Sequence, residues 1–318
     1  MALAVFFTVI LIIQSIGGTG SVQPATLQFW GVFDEKSVYD PIVREFQAQN
    51  PGIKIVYRKF SYDDYESSLI DALAAGTGPD IFMMHNTWLP KHGEKITPLP
   101  EQFPKLGPLM TVKNFQDQFV DVTAQDFIFK SRIYGLPLYV DTLALYYNKD
   151  LLNNAGITRP AQIWEELNSD VETITRLDGL SNIVQSAAAI GTAKNVNRST
   201  DILVNLMIQS GVRMTDAENL EAIFSRPVNN TAVGEITLKY YTDFANPSVR
   251  TYTWNDTQHY SVDAFVEGKT AMMFNYSHQI PVLKAKSSRL NFGVAPMPQI
   301  SLSDTKTYAN YWAVTVSN

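Results

Sequence analysis

Apolar and polar residues alternate over Ala25–Phe33 (ATLQFWGVF), a run rich in aromatic and branched side chains, and such alternation predicts a half-buried strand. Helical spacing takes over at once. Val38, Ile42, Val43 and Phe46 mark one face of a helix that Asp34 can cap and that Asn50-Pro51-Gly52 ends. A second strand, Ile53–Phe60, meets Ser61, which caps a helix carrying Tyr65, Leu69, Ala72 and Leu73 and stopped by Gly76. Pro79-Asp80 leads into a third strand, Ile81–Met84. The order βαβαβ implies parallel strands joined by right-handed crossovers, hence a doubly wound sheet with helices on both faces.

The pattern is weaker afterwards. Residues 91–120 carry Pro and Lys with little periodicity and predict loops and a short helix. An apolar strand, Thr142–Tyr147, precedes a helix opened by Asn148 and closed by Gly156, and Pro160 predicts the start of another through Trp164. Helical spacing recurs over Asp201–Gln209 and Ala232–Phe244, and strands are expected at Ala271–Asn275, Asn291–Ala295 and Trp312–Val316. At the N-terminus, Leu3–Ile13 is continuously apolar and followed by small and polar residues. It is shorter than the roughly 20 residues a membrane span needs and lacks a basic n-region and a small-residue cleavage site. Residues 1–23 are expected to be a cleaved secretory signal or a retained anchor, with the true start upstream, so that the remaining chain faces outward.

Composition narrows the function. The chain of 318 residues is 45% hydrophobic and 18% charged, which fits a folded protein of two moderate domains. Its net charge of −6, without a Lys/Arg cluster, offers no stripe to neutralise phosphates, so nucleic acid is excluded as a partner. No cysteine is present, which excludes disulfides, thiolate metal sites and a cysteine nucleophile. G-x-S-x-G, P-loop, G-x-G-x-x-G and H-E-x-x-H motifs are all missing from the sequence. No catalytic residue, metal or cofactor is expected.

Four segments together resemble the bacterial extracellular solute-binding proteins of the family that includes the maltose-binding protein. They are AAGTGPDIF at Ala74–Phe82, IYGLPLYVDTLALYYNKDLLNNAGI at Ile133–Ile157 with the Pro160 and Trp164-Glu165-Glu166 segment after it, FVEGKTAMMFNYSH at Phe265–His278, and FGVAPMPQ followed by YANYWAVTVSN. The resemblance implies a two-lobed periplasmic-binding-protein-like α/β fold of class II, each lobe a sheet flanked by helices, joined at a hinge. It divides the chain into residues 24–139 as lobe one, 140–309 as lobe two and 310–318 as a return strand to lobe one, with the family's closing helices missing. The implied function is the solute-binding component of an ABC importer: an extracytoplasmic monomer that captures a sugar or oligosaccharide in an interlobe cleft by hinge closure and delivers it to a membrane permease.

Strand ends select candidate residues independently of the family, because ligands of open parallel sheets bind beyond the carboxyl ends of the strands. A sugar presents hydroxyls at its edge and C–H groups on its faces, so its site needs polar side chains beside flat rings. Trp30, Asp34, Tyr62, His85 and Trp88 meet that description in the first lobe. Trp30 equally fits the inward face of its strand, and Asp34 equally fits a helix cap. The resemblance adds Tyr139 and Asp141 at one crossing, Trp254 and Tyr276 in the second lobe, and Tyr311 and Trp312 at the return crossing. The rival functions are a secreted carbohydrate-active enzyme with two converging carboxylates and a sugar-sensing surface receptor without transport. The solute itself is left open among malto-oligosaccharides, other oligosaccharides, polyols and glycerol phosphodiesters.

Overall fold

The computed structural model describes residues 24–100, 102, 109–216 and 221–318, so the expected signal or anchor at residues 1–23 lies outside the described residues. Two compact units are formed, and the chain passes from the first to the second at Val140/Asp141 and back at Ala309/Asn310.

The first unit opens with β1 (Ala25–Val32), α1 (Lys36–Gln49), β2 (Ile53–Phe60), α2 (Tyr62–Ala74) and β3 (Ile81–His85). Then come the single-turn α3 (Leu89–His92), β4 (Ile96–Thr97), α4 (Val112–Gln118), α5 (Asp121–Phe127), β5 (Ile128–Phe129), β6 (Arg132–Ile133) and β7 (Leu136–Pro137). The strand β15 (Trp312–Ser317) completes it. Its main sheet has the order β2-β1-β3-β15-β4, with β7 also on β15. β1 is parallel to β2 and β3, as the βαβαβ reading requires, but β15 runs antiparallel to β3. The sheet is therefore mixed rather than wholly parallel, because its fourth strand is supplied by chain returning after the second unit.

Helices cover both faces of this sheet. On α1, Tyr39, Val43 and Phe46 are buried, while Val38 is 54% exposed. Tyr39 thus takes the inward position that spacing assigns to Val38, because its ring packs on Phe29 and Tyr57 (centroids 5.1 and 4.7 Å). The cap differs too: Glu35 occupies the N-cap without a side-chain bond, so Asp34 is not the capping residue. On the opposite face, Tyr65 of α2 packs against Phe60 (5.8 Å) and donates its hydroxyl to the Met83 carbonyl at 2.7 Å. Ser61 does cap α2, its Oγ accepting the Asp64 N–H at 3.2 Å, and Gly76 takes a left-handed φ of 69° just past the helix end.

The second unit contains β8 (Asp141–Thr142), β9 (Ala144–Asn148), α6 (Lys149–Asn154), α7 (Trp164–Ile174), β10 (Arg176–Leu177), β11 (Ile183–Ala188) and α8 (Ser199–Gln209). It continues through α9 (Val233–Asp243), α10 (Ser261–Val266), β12 (Thr270–Asn275), α11 (Gln279–Lys286) and β13 (Phe292–Pro296) to β14 (Ala309–Asn310) at the return crossing. Its sheet has the order β10-β11-β12-β9-β13, and of its pairings only β11 with β12 is parallel. Trp164, Leu167, Val171 and Ile174 of α7 and Ile202 and Leu206 of α8 are buried in one core with Met272, Met273 and Phe274 of β12. Each such side chain contributes about 1.5–3 kcal/mol on burial. Pro160 does not start a helix. Ile163 is the N-cap of α7, and the preceding segment is held extended by a bridge to Gln299, whose carbonyl accepts the Trp164 N–H at 3.1 Å.

Candidate functional site

In the first unit the carboxyl ends of β1, β2 and β3 converge on one aromatic shelf. β1 ends in a tight turn: the Asp34 N–H donates to the Val32 carbonyl at 2.7 Å across Phe33, whose φ is 62°. Such a three-residue turn with a positive central φ is the rarer and strained hand, and strain of this kind collects at functional sites. It turns Phe33 outward, where the ring is 41% exposed and stacks on Tyr62 (5.6 Å, 24°), itself 55% exposed at the first position of α2.

Trp312 is the floor of the shelf. It opens β15 directly opposite His85 of β3 and is only 2% exposed. Around it, edge to face, stand Phe33 (5.9 Å), Tyr62 (6.4 Å), Tyr65 (5.8 Å), His85 (5.2 Å) and Trp88 (5.2 Å). Trp88 is half-buried and lies flat on Tyr65 (6.1 Å, 20°). The short helix behind it is tied to α2 through Glu66, whose Oε1 lies 2.7 Å from Lys91 Nζ and 2.8 Å from His92 Nε2. These hydrogen bonds hold the Glu66 carboxyl below its ordinary range, and the His92 ring meets the edge of Trp88 at 5.8 Å. His85 Nδ1 sits 2.8 Å from the Thr87 hydroxyl.

Of the residues that sequence reasoning selects, Tyr62, His85, Trp88 and Trp312 are thus brought together. Asp34 lies beside the shelf but is occupied: its carboxylate accepts from the Tyr39 hydroxyl and its carbonyl from the Tyr57 hydroxyl, both at 2.9 Å. Burial first, and then Asp34, push the Tyr39 phenol well above its ordinary value. Trp30 is 8% exposed in the sheet core, packed on Phe60 (4.5 Å) with the Arg58 guanidinium over its ring. Tyr311 is fully buried beneath the sheet, and Tyr139 is 41% exposed near the end of the first unit.

The second unit gathers a different set. Trp254 is wholly buried and donates its indole N–H to Asn195 Oδ1 at 3.0 Å, and Tyr276, 2% exposed, donates its hydroxyl to Asp201 at 2.9 Å. Both belong to that unit's hydrophobic core. Above the Tyr276 ring lie the Arg198 guanidinium (5.2 Å) and the stacked, exposed His278 (6.2 Å, 24°). Burial raises the Asp201 carboxyl against the opposing effects of Tyr276 and Arg198. Asp141 accepts from the Ser277 N–H and hydroxyl at 2.9 and 2.7 Å and so fixes the turn that follows β12.

Phe33 and Arg198 are absent from the sequence-based selection. An aromatic residue one position past a strand, just before Asp34, was the available signal for Phe33. Arg198 carried none, since its place depends on a left-handed backbone (φ 65°) that the sequence does not announce. Among the described residues no group of His, Cys, Asp or Glu could hold a metal ion, and no helix is long and apolar enough to cross a membrane. The shelf itself carries aromatic, imidazole and hydroxyl groups, which suit the C–H faces and hydroxyl edges of a polyhydroxylated molecule.

The profile of the bacterial extracellular solute-binding protein family matches residues 30–318. The chain belongs to this family. Among its relatives, a chain named as a binding protein from Brucella abortus (strain 2308) is 25% identical over 261 residues, which are 82% of this chain and 59% of the relative. A maltotriose-binding protein of Pyrococcus abyssi is 24% identical over 278 residues, 86% of this chain and 53% of the relative. The chain therefore spans less than two thirds of the length of these relatives. The crystal structure of a cyclic α-maltosyl-1,6-maltose binding protein from Arthrobacter globiformis superposes with a TM-score of 0.70 at 18% identity, covering 93% of this chain and 71% of that one. This likeness establishes the solute-binding fold.

Proposed function

We propose that this protein is the extracytoplasmic solute-capturing component of an ABC importer. It binds a saccharide on the shelf formed by Phe33, Tyr62, His85, Trp88 and Trp312 and presents it to a membrane permease as a monomer, without chemical change. The single observation that carries this reading is the shelf itself: flat rings at the carboxyl ends of three strands, two of them exposed to about half their area, in a chain of the solute-binding family. None of the five shelf side chains is a lysine or arginine that would pair with a phosphate, which favours an uncharged saccharide over a glycerol phosphodiester. Relatives named for maltotriose and cyclic maltosyl-maltose support the same class. Micromolar capture requires about −8 kcal/mol, and stacked rings contribute about 0.5–1.5 kcal/mol each beyond the area they bury. Several rings and a set of hydroxyl hydrogen bonds reach that total.

A thermal-shift and calorimetric panel of malto-oligosaccharides, other oligosaccharides, polyols and glycerol phosphodiesters tests the proposal. Stabilisation by an oligosaccharide is expected, with Trp88→Ala weakening binding by about 1 kcal/mol or more. No binding across the panel, or release of smaller sugars on incubation, overturns it.

A further inference from the structure

We propose that Asp126, which lies beneath the sheet of the first unit and away from the shelf, is a positioning residue for it: its carboxylate joins the two segments that carry Trp88 and Trp312. The inference rests on the shelf reading above and adds a residue to it.

Three segments meet at this carboxylate. Asp126 Oδ2, near the end of α5, accepts the Tyr311 hydroxyl at 2.5 Å and the Asn86 side-chain N–H at 3.0 Å. The loop closes through the backbone, where the Asn86 N–H donates to the Tyr311 carbonyl at 3.1 Å. Tyr311 directly precedes Trp312, and Asn86 stands between His85 and Trp88. Successive side chains of extended backbone point to opposite faces, so Tyr311 anchors below, against Phe127 (5.9 Å), while Trp312 faces the shelf. The two indoles lie 5.2 Å apart, and their register depends on how Tyr311 and Asn86 are held.

The carboxylate sets this arrangement rather than merely filling it. Asn86 is 7% exposed, and its Oδ1 is buried without a hydrogen-bond partner. The amide gives its N–H to Asp126 and leaves its own oxygen unpaired, an orientation chosen because a bond to a charged acceptor is the stronger one. Burial also raises the Asp126 carboxyl above its ordinary value in spite of both donors. A group kept at that cost has its position determined by its two donors, and they by it.

The test compares Asp126→Leu, which removes the oxygen that accepts both bonds while keeping a side chain branched at Cγ, with Asp126→Asn, whose amide oxygen can accept the same two bonds. Thr111→Ala is the control for simple destabilisation, since it removes the cap of α4 in the same unit, where Thr111 Oγ1 accepts the Asn114 N–H. The readouts are near-UV circular dichroism of the ligand-free protein, in the band that Trp88→Phe abolishes, and affinity for the best saccharide of the panel. Asp126→Leu is expected to lose the band and to weaken binding by about tenfold or more. Asp126→Asn is expected to retain both, and Thr111→Ala to lower Tm while leaving both unchanged. The proposal is overturned if Asp126→Leu keeps the wild-type band, or if Thr111→Ala reduces it as much at an equal loss of Tm. If no saccharide binds the wild type, the transport reading falls, while the dichroism comparison still decides the role of Asp126.

Discussion

Phe33 links backbone strain to function closely enough that two substitutions at one position separate them. Its φ of 62° places an L-residue in left-handed territory, at about 1–2 kcal/mol. The ring returns part of this by stacking on Tyr62 and meeting the edge of Trp312. At 41% exposure the two contacts together are worth about 1 kcal/mol, the low end of the range for aromatic pairs. Phe33→Ala loses the contacts and keeps the strain, so it should destabilise by about 1 kcal/mol. Phe33→Gly loses the same contacts, is released from the strain, and gives back about 0.5–1 kcal/mol as backbone entropy in the unfolded chain. Its net change is close to zero. Glycine should therefore be more stable than alanine here by about 0.5–1 kcal/mol, the reverse of their usual order. Urea denaturation measures the difference through the midpoint at constant slope. Both variants should weaken saccharide binding alike, by about fivefold, because both lose the same ring. A Phe33→Ala protein as stable as Phe33→Gly refutes the strain argument, and wild-type affinity in both shows that the Phe33 ring does not contact the saccharide.

Burial, with Glu166 one turn earlier, pushes the Asp170 carboxyl up to about 6. A carboxyl raised on folding destabilises progressively as pH climbs from about 4 through that value, so Asp170→Asn should raise the unfolding midpoint near pH 7 and lose its advantage near pH 4. An equal gain at both pH values counts against this assignment. Gly191 has a φ of 110°, and a Cβ there would sit 2.8 Å from the Ala245 nitrogen. Strain and a clash with backbone rather than with a movable side chain should make Gly191→Ala cost about 3 kcal/mol or more in thermal or urea unfolding, and a loss below about 1 kcal/mol would show that the loop simply moves aside.

The sequence was most legible where local rules act alone. Alternation over residues 25–32, the Ser61 cap and the Gly76 stop located β1, α2 and their neighbours within a residue or two, because each signal depends on its own few side chains. Val38 was misassigned for a non-local reason: the inward position belongs to Tyr39 because Phe29 and Tyr57 leave room for a ring there. The interior strand β11 went unread because Ser186, Ala187 and Ala188 are all buried, which leaves no alternation to detect. Pro160 misled as a helix start because its segment is held extended by Gln299, which lies far along the chain. Among the candidate residues, Tyr62, His85 and Trp88 follow from the strand-end rule. Trp312 needed the family resemblance, since nothing in WAVTVS indicates which strand it will pair with.

The shelf is assembled from segments that lie far apart in the sequence. Tyr62, His85 and Trp88 come from the first quarter or so of the chain, yet the ring they surround belongs to β15, at its far end. β15 enters the sheet between β3 and β4 and fixes its register through the Trp312–His85 and Val316–Thr97 pairs. Without it, β3 would have an open edge, Trp88 would lose the Trp312 ring that it meets edge to face, and Tyr311, the residue before β15, would no longer be held in place against the Asp126 carboxylate. Closing a loop of this length costs entropy that the pairs of β15 with β3, β4 and β7 must offset. The exposed rings of Phe33 and Tyr62 are then set against Trp312 only when the whole intervening chain is in place. The shelf is thus a product of the tertiary fold rather than of any one local segment, because its floor and its walls come from opposite sides of the second unit in the sequence.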